Sequence, residues 1–294
     1  NSQVTPSIFL LIGPFVGLWT LIFGYPHLSS LKKSYLNLQN LDESNWIGSK
    51  LCLKKDCPSP QNLRDMKFKK YPFWRIDKFN LQIIKGGWQL AGDHGVVEQS
   101  RAVNDMIAFY DAGSTTFDCA DIYKGVEEMI GEFLRKLKNS RGAAAMAKVK
   151  VHTKYVPDIA QLLTLSKRDV SAIIDRSLQR LGLERLDLVQ FHWWDYSVPG
   201  YLKAIGFLDE LRRDGKIDQI GVTNFDAEHL AEICAAVDIT SAQIQYSLLD
   251  QRPAGLFANV ARNNNVHLLT YGSLAGGFLT DRWLGVCDPG FEFE

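Results

Sequence analysis

The chain has 294 residues, 46% of them hydrophobic, and is long enough to bury the core of one barrel or of two smaller domains. Lys and Arg number 33, as do Asp and Glu, so the formal net charge is zero. Without excess positive charge to attract nucleic acid, the composition favours a small or neutral partner. The five cysteines are scattered and complete no zinc site, so we interpret them as reduced thiols of an intracellular protein.

The amino-terminal part of the chain is unusually apolar. Residues 8–25 carry no charged side chain, and a membrane-spanning helix needs about 20 such residues. We predict that residues 1–28 form a hydrophobic targeting or membrane-anchor segment; the alternative is an extension with no role in the fold. A cytoplasmic location is expected, or association with an organelle or membrane if residues 8–25 contact one. Residues 29–78 are polar and aperiodic and are interpreted as a linker.

From residue 79 onward, short apolar runs alternate with segments of helical periodicity. This alternation predicts a parallel sheet covered by helices. About seven strand-helix units fit before the chain ends, whereas a closed barrel needs eight. We therefore predict an α/β fold, a TIM-type (β/α)8 barrel over residues 79–294, with the eighth β/α unit missing. The predicted strands are 81–90, 115–118, 149–154, 186–191, 217–222, 242–245 and 266–271, and the predicted helices are 97–111, 126–137, 169–181, 199–213, 227–237 and 254–262.

Four polar residues follow or end successive predicted strands, namely Asp118, Tyr123, Lys154 and His192. Each alone would more often be structural, as half of an ion pair or a satisfied buried side chain. A parallel barrel, however, brings the carboxyl ends of its strands to one rim, where such enzymes carry their chemistry. The four together therefore predict one shared active site.

The same residues carry a resemblance to a known family. The pattern Asp-x-Ala-x-x-Tyr spans residues 118–123, Thr153-Lys154 follows, and His192 lies within Gln-Phe-His-Trp-Trp. Thr223-Asn224 follows the next strand, and two later segments, 243–249 and 270–274, also match. In order and spacing, the chain from about residue 79 to 281 resembles the aldo-keto reductases.

The resemblance implies an NADP(H)-dependent oxidoreductase that reduces aldehydes and ketones to alcohols without a metal. Tyr123 would be the general acid that protonates the developing alkoxide. A free tyrosine has a pKa of about 10, so Lys154 would lower this pKa, and Asp118 would hold Lys154 in place. His192 would donate a hydrogen bond that orients the carbonyl and would share in the proton transfer.

The resemblance also implies the residues that bind cofactor and substrate. Thr223, Asn224 and Gln245 match positions that hold the nicotinamide amide, and the ring of Tyr271 would stack on the nicotinamide. A glycine-containing turn for close approach to the cofactor follows, formed by Gly272, Ser273 and Leu274. Trp88 and Trp193 would wall an apolar pocket for a small-molecule carbonyl substrate.

Two departures from the family pattern bear on activity. Lys124 stands where related chains commonly have Gly after the catalytic tyrosine, and strain is expected if that turn needs a positive φ. No segment after residue 281 matches the eighth unit, which in the family holds the adenosine part of the cofactor. The alternative function is therefore a non-catalytic scaffold or regulatory binding protein on a truncated barrel.

Overall fold

A computed structural model describes residues 8–12, by their backbone, together with residues 82–92 and 95–280. Its described residues up to Gly276 belong to one compact unit, and residues 277–280 belong to a second unit that is otherwise outside the described part. The compact unit is a closed barrel of parallel strands paired in chain order. The strands are β1 (Ile8–Ile12), β2 (Gln82–Gly86), β3 (Thr116–Asp118), β4 (Lys150–Tyr155), β5 (Leu186–Phe191), β6 (Ile217–Thr223), β7 (Ser241–Gln245) and β8 (His267–Tyr271).

Helices cover the outside of the barrel because their apolar stripes and the outward-facing strand residues bury one another. Phe117 of β3, for example, packs on Phe133 of the following helix, with 4.7 Å between the ring centroids. A smaller apolar cluster of Ile84, Leu188 and Leu269 is separate from this main core. The helices are α1 (Gln99–Asp111), α2 (Val126–Arg141), α3 (Ala143–Met146), α4 (Lys167–Leu181), α5 (Tyr201–Arg213), α6 (Ala227–Ala236) and α7 (Leu256–Asn263).

The predicted elements are present, with small differences at their ends. Helix α4 begins at Lys167, two residues before its predicted start at residue 169. Ser166 is the N-cap, and Asp169 is its partner in a capping box, accepting from the Ser166 backbone while the Ser166 hydroxyl accepts from the Asp169 backbone. The helix ends before Gly182, which has a φ of 66°, as a left-handed C-terminal glycine should. Strand β2 stops at Gly86, because residues Trp88–Ala91 form a 3₁₀ turn.

The TIM-type barrel is confirmed, and seven of its strands lie between residues 82 and 271, as predicted. In the described part of the chain, which ends at residue 280, no strand follows β8. The gap between β8 and β2 is filled by β1, whose Leu10 pairs with Ile83 on one side and Thr270 on the other. The first five residues of the apolar segment thus supply backbone pairing that an eighth unit would otherwise supply.

Much of the amino-terminal prediction lies outside the described residues, including residues 13–25 of the apolar segment and all of the 29–78 linker. The region after residue 280, where an eighth β/α unit was not found in the sequence, lies outside them as well. Within the described ranges, no helix is both long enough and apolar enough to span a bilayer. The targeting or anchor role of residues 1–28 stays a prediction.

Replacing Leu10 by Pro tests whether β1 closes the barrel. Leu10 is paired on both sides, and Pro lacks the backbone N–H that a central strand donates. We expect Leu10→Pro to lower the free energy of unfolding by about 2 kcal/mol or more, since a ladder hydrogen bond is lost and its acceptor is left unpaired. Urea unfolding of the full chain measures this.

Leu10→Val is the matched control, because it keeps the N–H and favours strand geometry, and we expect a change below about 1.5 kcal/mol. Equal stability of the Pro variant and the parent chain would show that residues 8–12 do not close the barrel, as the anchor interpretation would have it.

Candidate active site

A buried ion pair lies at the carboxyl ends of β3 and β4. The Lys154 Nζ atom is 2.5 Å from Asp118 Oδ1 and also donates to the Cys119 carbonyl oxygen at 2.8 Å. Both side chains are almost inaccessible, with 5% of Lys154 and 2% of Asp118 exposed. The structure therefore brings together two of the four predicted catalytic residues as the sequence implied.

Two glutamines complete the surroundings of Asp118. Gln190 of β5 and Gln243 of β7 each donate an amide N–H to Asp118 Oδ2, at 2.7 and 2.9 Å. A buried carboxylate is tolerated only when its oxygens are paired and hydrogen bonded, and here both oxygens are. Neither glutamine was singled out from the sequence. The available signal was a polar residue within a short apolar run, as at Gln190 in the run of residues 188–191, where Gln190 is fully buried.

The surroundings of Lys154 keep it charged. Burial by itself would lower the pKa of Lys154, but the neighbouring Asp118 carboxylate, through its charge and its hydrogen bond, holds this pKa above its usual value. Lys154 is therefore an ammonium group at neutral pH. The site has one fixed positive charge, and this charge does not titrate in the physiological range.

Tyr123 lies in the turn between β3 and α2, where its ring centroid is 5.3 Å from Lys154 Nζ. Burial raises the pKa of Tyr123 above its ordinary value, while the charge of Lys154 acts in the opposite direction. The family resemblance implied that Lys154 lowers the pKa of Tyr123; its charge acts in that direction, but burial has the larger effect and the pKa is raised. The phenol is consequently protonated near neutral pH.

The turn that holds Tyr123 does not strain Lys124. Among the described residues, the non-glycine positions with positive φ are Asn224, Asn265 and Ala275. In the turn itself the left-handed conformation falls on Gly125, with a φ of 77°. The glycine requirement is thus met one residue later than in the family pattern, and Lys124 is exposed to solvent.

Close packing beneath the site requires another glycine. A Cβ atom built on Gly87, directly after β2, would lie 2.8 Å from the Asp118 carbonyl oxygen and 2.9 Å from Val126 Cγ1. Real Cβ atoms do not approach that closely, so any larger residue at position 87 would push the end of β3 outward. Gly87 thereby lets the chain pass close to the strand end that carries Asp118.

His192 follows β5 and is held by the neighbouring strand. Its Nδ1 atom lies 3.2 Å from the Thr223 carbonyl oxygen, and because a carbonyl only accepts, Nδ1 must carry the proton. Burial lowers the pKa of His192, so the ring is neutral at pH 7. In that tautomer Nε2 is a hydrogen-bond acceptor, whereas the family resemblance implied a donor.

The two adjacent tryptophans face different surroundings. Trp193, expected in the pocket wall, is 2% exposed and donates its indole N–H to the Asp195 and Val198 carbonyls, packed beside Phe191. Trp194 is the one next to His192, edge-on with 4.8 Å between ring centroids. The structure thus places Trp193 in the core and leaves Trp194 half-exposed near the site. Trp88 is exposed, in the 3₁₀ turn after β2.

The predicted cofactor residues collect at the ends of β6, β7 and β8. Tyr271 donates its hydroxyl to Asn224 Oδ1 at 2.8 Å, and Asn224 adopts a positive φ of 59° that asparagine tolerates. A Cβ on Gly272 would be 3.3 Å from Gln245 Cγ, so these two residues lie side by side. Ser273 and Leu274 form the turn that the Ala275 N–H closes onto the Gly272 carbonyl.

The chemistry of this group suits a nicotinamide. Two side-chain amides, a tyrosine ring and a glycine next to Gln245 would match a carboxamide on a flat ring. Thr223 differs, because it is buried and its hydroxyl contacts Gln243 Oε1 at 3.4 Å. Among the described residues, no group of three or more His, Cys, Asp or Glu side chains is arranged to hold a metal ion.

Comparison with known proteins identifies the family of this chain. The model of the aldo/keto reductase family matches residues 82–288, which is well over half of the chain. The chain therefore belongs to the aldo-keto reductases, a family of oxidoreductases that act on carbonyl compounds with nicotinamide cofactors.

Curated relatives agree with this assignment. The chain is 27% identical over 228 residues, 72% of its length, to an NADH-specific methylglyoxal reductase of Escherichia coli. It is 28% identical over 201 residues, 67% of its length, to aldo-keto reductase YhdN of Bacillus subtilis. It is 29% identical over 183 residues, 60% of its length, to human aflatoxin B1 aldehyde reductase member 4. It spans 69%, 59% and 53% of the length of these proteins, respectively.

Solved structures show the same likeness. A thermostable aldo-keto reductase in complex with the inhibitor epalrestat is 27% identical, with a TM-score of 0.55, covering 67% of this chain and 70% of that one. A structure described as a putative 2,5-diketo-D-gluconic acid reductase B is 26% identical, with a TM-score of 0.54, covering 66% of this chain and 62% of that one.

The ion pair predicts a specific pattern of stability changes. Asp118→Asn would leave the Lys154 ammonium buried without a countercharge, and we expect it to lower the free energy of unfolding by about 3–5 kcal/mol. The double variant Asp118→Asn/Lys154→Met should be destabilised by less than the sum of the two single changes, because neither charge of the pair then remains buried. Urea unfolding at pH 7 is suitable. The pKa of Lys154 is raised, so its contribution is complete below its ordinary value and lost only at higher pH.

A surface pair serves as the control. Lys216 Nζ and Asp175 Oδ1 are 2.6 Å apart but substantially exposed, so Asp175→Asn should change stability by about 1 kcal/mol or less. Additive effects of the Asp118 and Lys154 changes would contradict a coupled buried pair.

Proposed function

We propose that this chain is an NADP(H)-dependent reductase that converts aldehydes or ketones to alcohols, with Tyr123 as the general acid. The observation that carries the proposal is the position of the half-buried Tyr123 ring, whose centroid is 5.3 Å from Nζ of the buried Lys154, which is paired with Asp118. Reduction of a carbonyl places negative charge on oxygen, which needs a proton donor and a nearby cation. Tyr123 and Lys154 provide these two functions at one end of the barrel.

A reduced nicotinamide cofactor, when bound, would supply a hydride to the carbonyl carbon. Tyr123 then gives its hydroxyl proton to the carbonyl oxygen, and Lys154 stabilises the phenolate that this leaves. Lys154 has three N–H donors, of which Asp118 Oδ1 and the Cys119 carbonyl accept two. The third donor is thus available to the phenolate. Asp118 works indirectly, since it holds Lys154 in position and keeps it protonated.

His192 has a different role from the one that the resemblance implies. With Nδ1–H committed to the Thr223 carbonyl, neutral His192 offers an acceptor at Nε2. It would accept a hydrogen bond from a hydroxyl, either that of Tyr123 or that of the product alcohol. It would orient the hydroxyl of Tyr123 or of the product alcohol by that contact, and it would not donate to the substrate carbonyl.

The nicotinamide part of the cofactor would lie at the ends of β6 to β8. Asn224 and Gln245 would hold its carboxamide, and Tyr271 would stack on its ring. Thr223, which is buried and directly precedes Asn224, would help to position Asn224. The turn of Gly272, Ser273 and Leu274 would let the chain approach closely. We propose NADP(H) over NADH because the family resemblance implies it. One relative, from Schizosaccharomyces pombe, is named for NADP(+), whereas another is named NADH-specific.

An apolar carbonyl compound is the proposed substrate. Trp88 and Trp194 are half-exposed aromatic side chains at this end of the barrel, and aromatic walls bury the apolar part of small ligands. Trp194 is positioned by a hydrogen bond from its indole N–H to the Pro157 carbonyl oxygen at 2.7 Å.

Tyr123→Phe tests the proposal directly. Removing the proton donor should lower kcat for carbonyl reduction by a factor of about 10² to 10⁴, while cofactor binding, followed by tryptophan quenching, should be retained. Tyr110→Phe is the control, because the Tyr110 hydroxyl contacts the Ala145 carbonyl between α1 and α3. Assays with NADPH and NADH in parallel test cofactor choice. Full activity of Tyr123→Phe would remove the role assigned to this residue.

The pH dependence follows from the raised pKa of Tyr123. Reduction requires the protonated phenol, which predominates at every pH below that pKa, so kcat for reduction should stay level between about pH 6 and 9. Alcohol oxidation requires the phenolate, whose population rises tenfold per pH unit below the pKa, so its rate should rise over the same range. Steady-state kinetics in both directions measure this, and a loss of reduction between pH 7 and 9 would contradict it.

A further inference from the structure

A second buried charge lies beside the active site and has no part in the reaction described above. Glu127, in the first turn of α2, is completely buried. Its Oε1 accepts a hydrogen bond from the Thr153 hydroxyl at 2.7 Å, and its Oε2 lies 3.3 Å from a terminal nitrogen of Arg180 on α4. One carboxylate thus joins a barrel strand to two helices.

The partners of Glu127 are next to the residues that carry the chemistry. Thr153 directly precedes Lys154 on β4. The same Arg180 nitrogen donates to the Asp121 carbonyl oxygen at 3.1 Å, two residues before Tyr123. Glu127 is therefore connected through Thr153 to the strand of Lys154, and through Arg180 to the turn of Tyr123. These bonds do not involve the side chains of Lys154 and Tyr123 themselves.

Stability alone gives a weak reason for a charge at this place. Taking a carboxylate and a guanidinium out of water is expensive, and replacing a buried ion pair by apolar residues is often neutral or stabilising. Arg180 is also paired on its outer side with Glu128, at 3.0 Å, so it would keep a partner without Glu127. The burial of Glu127 is therefore better explained by the parts of the fold that it holds together than by a gain in stability.

We propose that Glu127 is a positioning residue, which fixes the separation of Lys154 and Tyr123 through its bonds to Thr153 and Arg180. The inference rests on the proposed function, because it assigns Glu127 to the proton transfer that Tyr123 and Lys154 would perform. Glu127 thus links the side chains of β4 to the turn of residues 119–125, in addition to the backbone bonds from the Cys119 N–H to the His152 carbonyl and from the Asp121 N–H to the Lys154 carbonyl. Their relative position decides how strongly the Lys154 charge acts on the Tyr123 phenol.

Loss of this link has an expected signature. A displacement of about 1 Å in a catalytic pair can lower the rate by about 10²-fold. We therefore expect Glu127→Leu to lower kcat by about 10- to 100-fold with little change in KM. The pH at which alcohol oxidation rises should shift upward, because the Lys154 charge opposes the burial that raises the pKa of Tyr123.

The experiment uses the full chain with three variants. Glu127→Leu removes both bonds, and Glu127→Gln keeps an acceptor for Thr153, so kcat should fall in the order parent, Gln, Leu. Glu128→Gln is the matched control, because it removes the other ion pair of the same arginine from an exposed neighbouring position and should leave kcat and the pH profile unchanged. The Tyr123 resonance in ¹³C-tyrosine-labelled protein, titrated without cofactor or substrate, reports the phenol independently of turnover.

The outcomes separate the inference from the function on which it rests. Unchanged kcat and an unchanged Tyr123 titration in Glu127→Leu would overturn the positioning role, even if Tyr123→Phe is inactive. An active Tyr123→Phe would overturn the proposed function instead. If Glu127→Leu fails to fold, Glu127→Gln and Thr153→Val take its place, and normal kcat and titration in both would likewise overturn the inference.

Discussion

The buried ion pair of Lys154 and Asp118 is the interaction on which the rest of the site depends. A charged pair at this depth is stable only if the remaining oxygen and N–H groups also find partners. Gln190 and Gln243 supply these for the carboxylate, and the Cys119 carbonyl supplies one for the ammonium. The requirement involves strands on different sides of the barrel, so the barrel must be assembled before the pair is satisfied.

Burial determines the protonation of the two neighbours of this pair, Tyr123 and His192. Burial makes the charged forms of Tyr123 and His192 unfavourable, which raises the pKa of the phenol and lowers that of the imidazole. Lys154 is the one group of the three that keeps a charge, because Asp118 compensates it. The site therefore presents a fixed cation next to two neutral groups, an arrangement suited to receiving negative charge on a substrate oxygen.

Much of the fold could be predicted because its patterns are local. Apolar runs of strand length and helical spacings gave all seven strands from β2 to β8, and positions such as Asp118 and Lys154 follow from the strand ends. The tryptophans show where this reasoning stopped. The sequence Trp193-Trp194 does not indicate which of the two rings faces the core. Trp193 does so because loop carbonyls accept a hydrogen bond from its indole N–H.

The sequence by itself determined the alternation of strands and helices, the family motif and the strand ends at which polar residues lie. Only the tertiary structure decided that β1 fills the gap between β8 and β2, and that Gln190 and Gln243 bind Asp118. The two glutamines are 72 and 125 residues from Asp118 in the chain. Local periodicity is set by neighbours a few residues apart, so it contains no information about contacts that barrel closure creates.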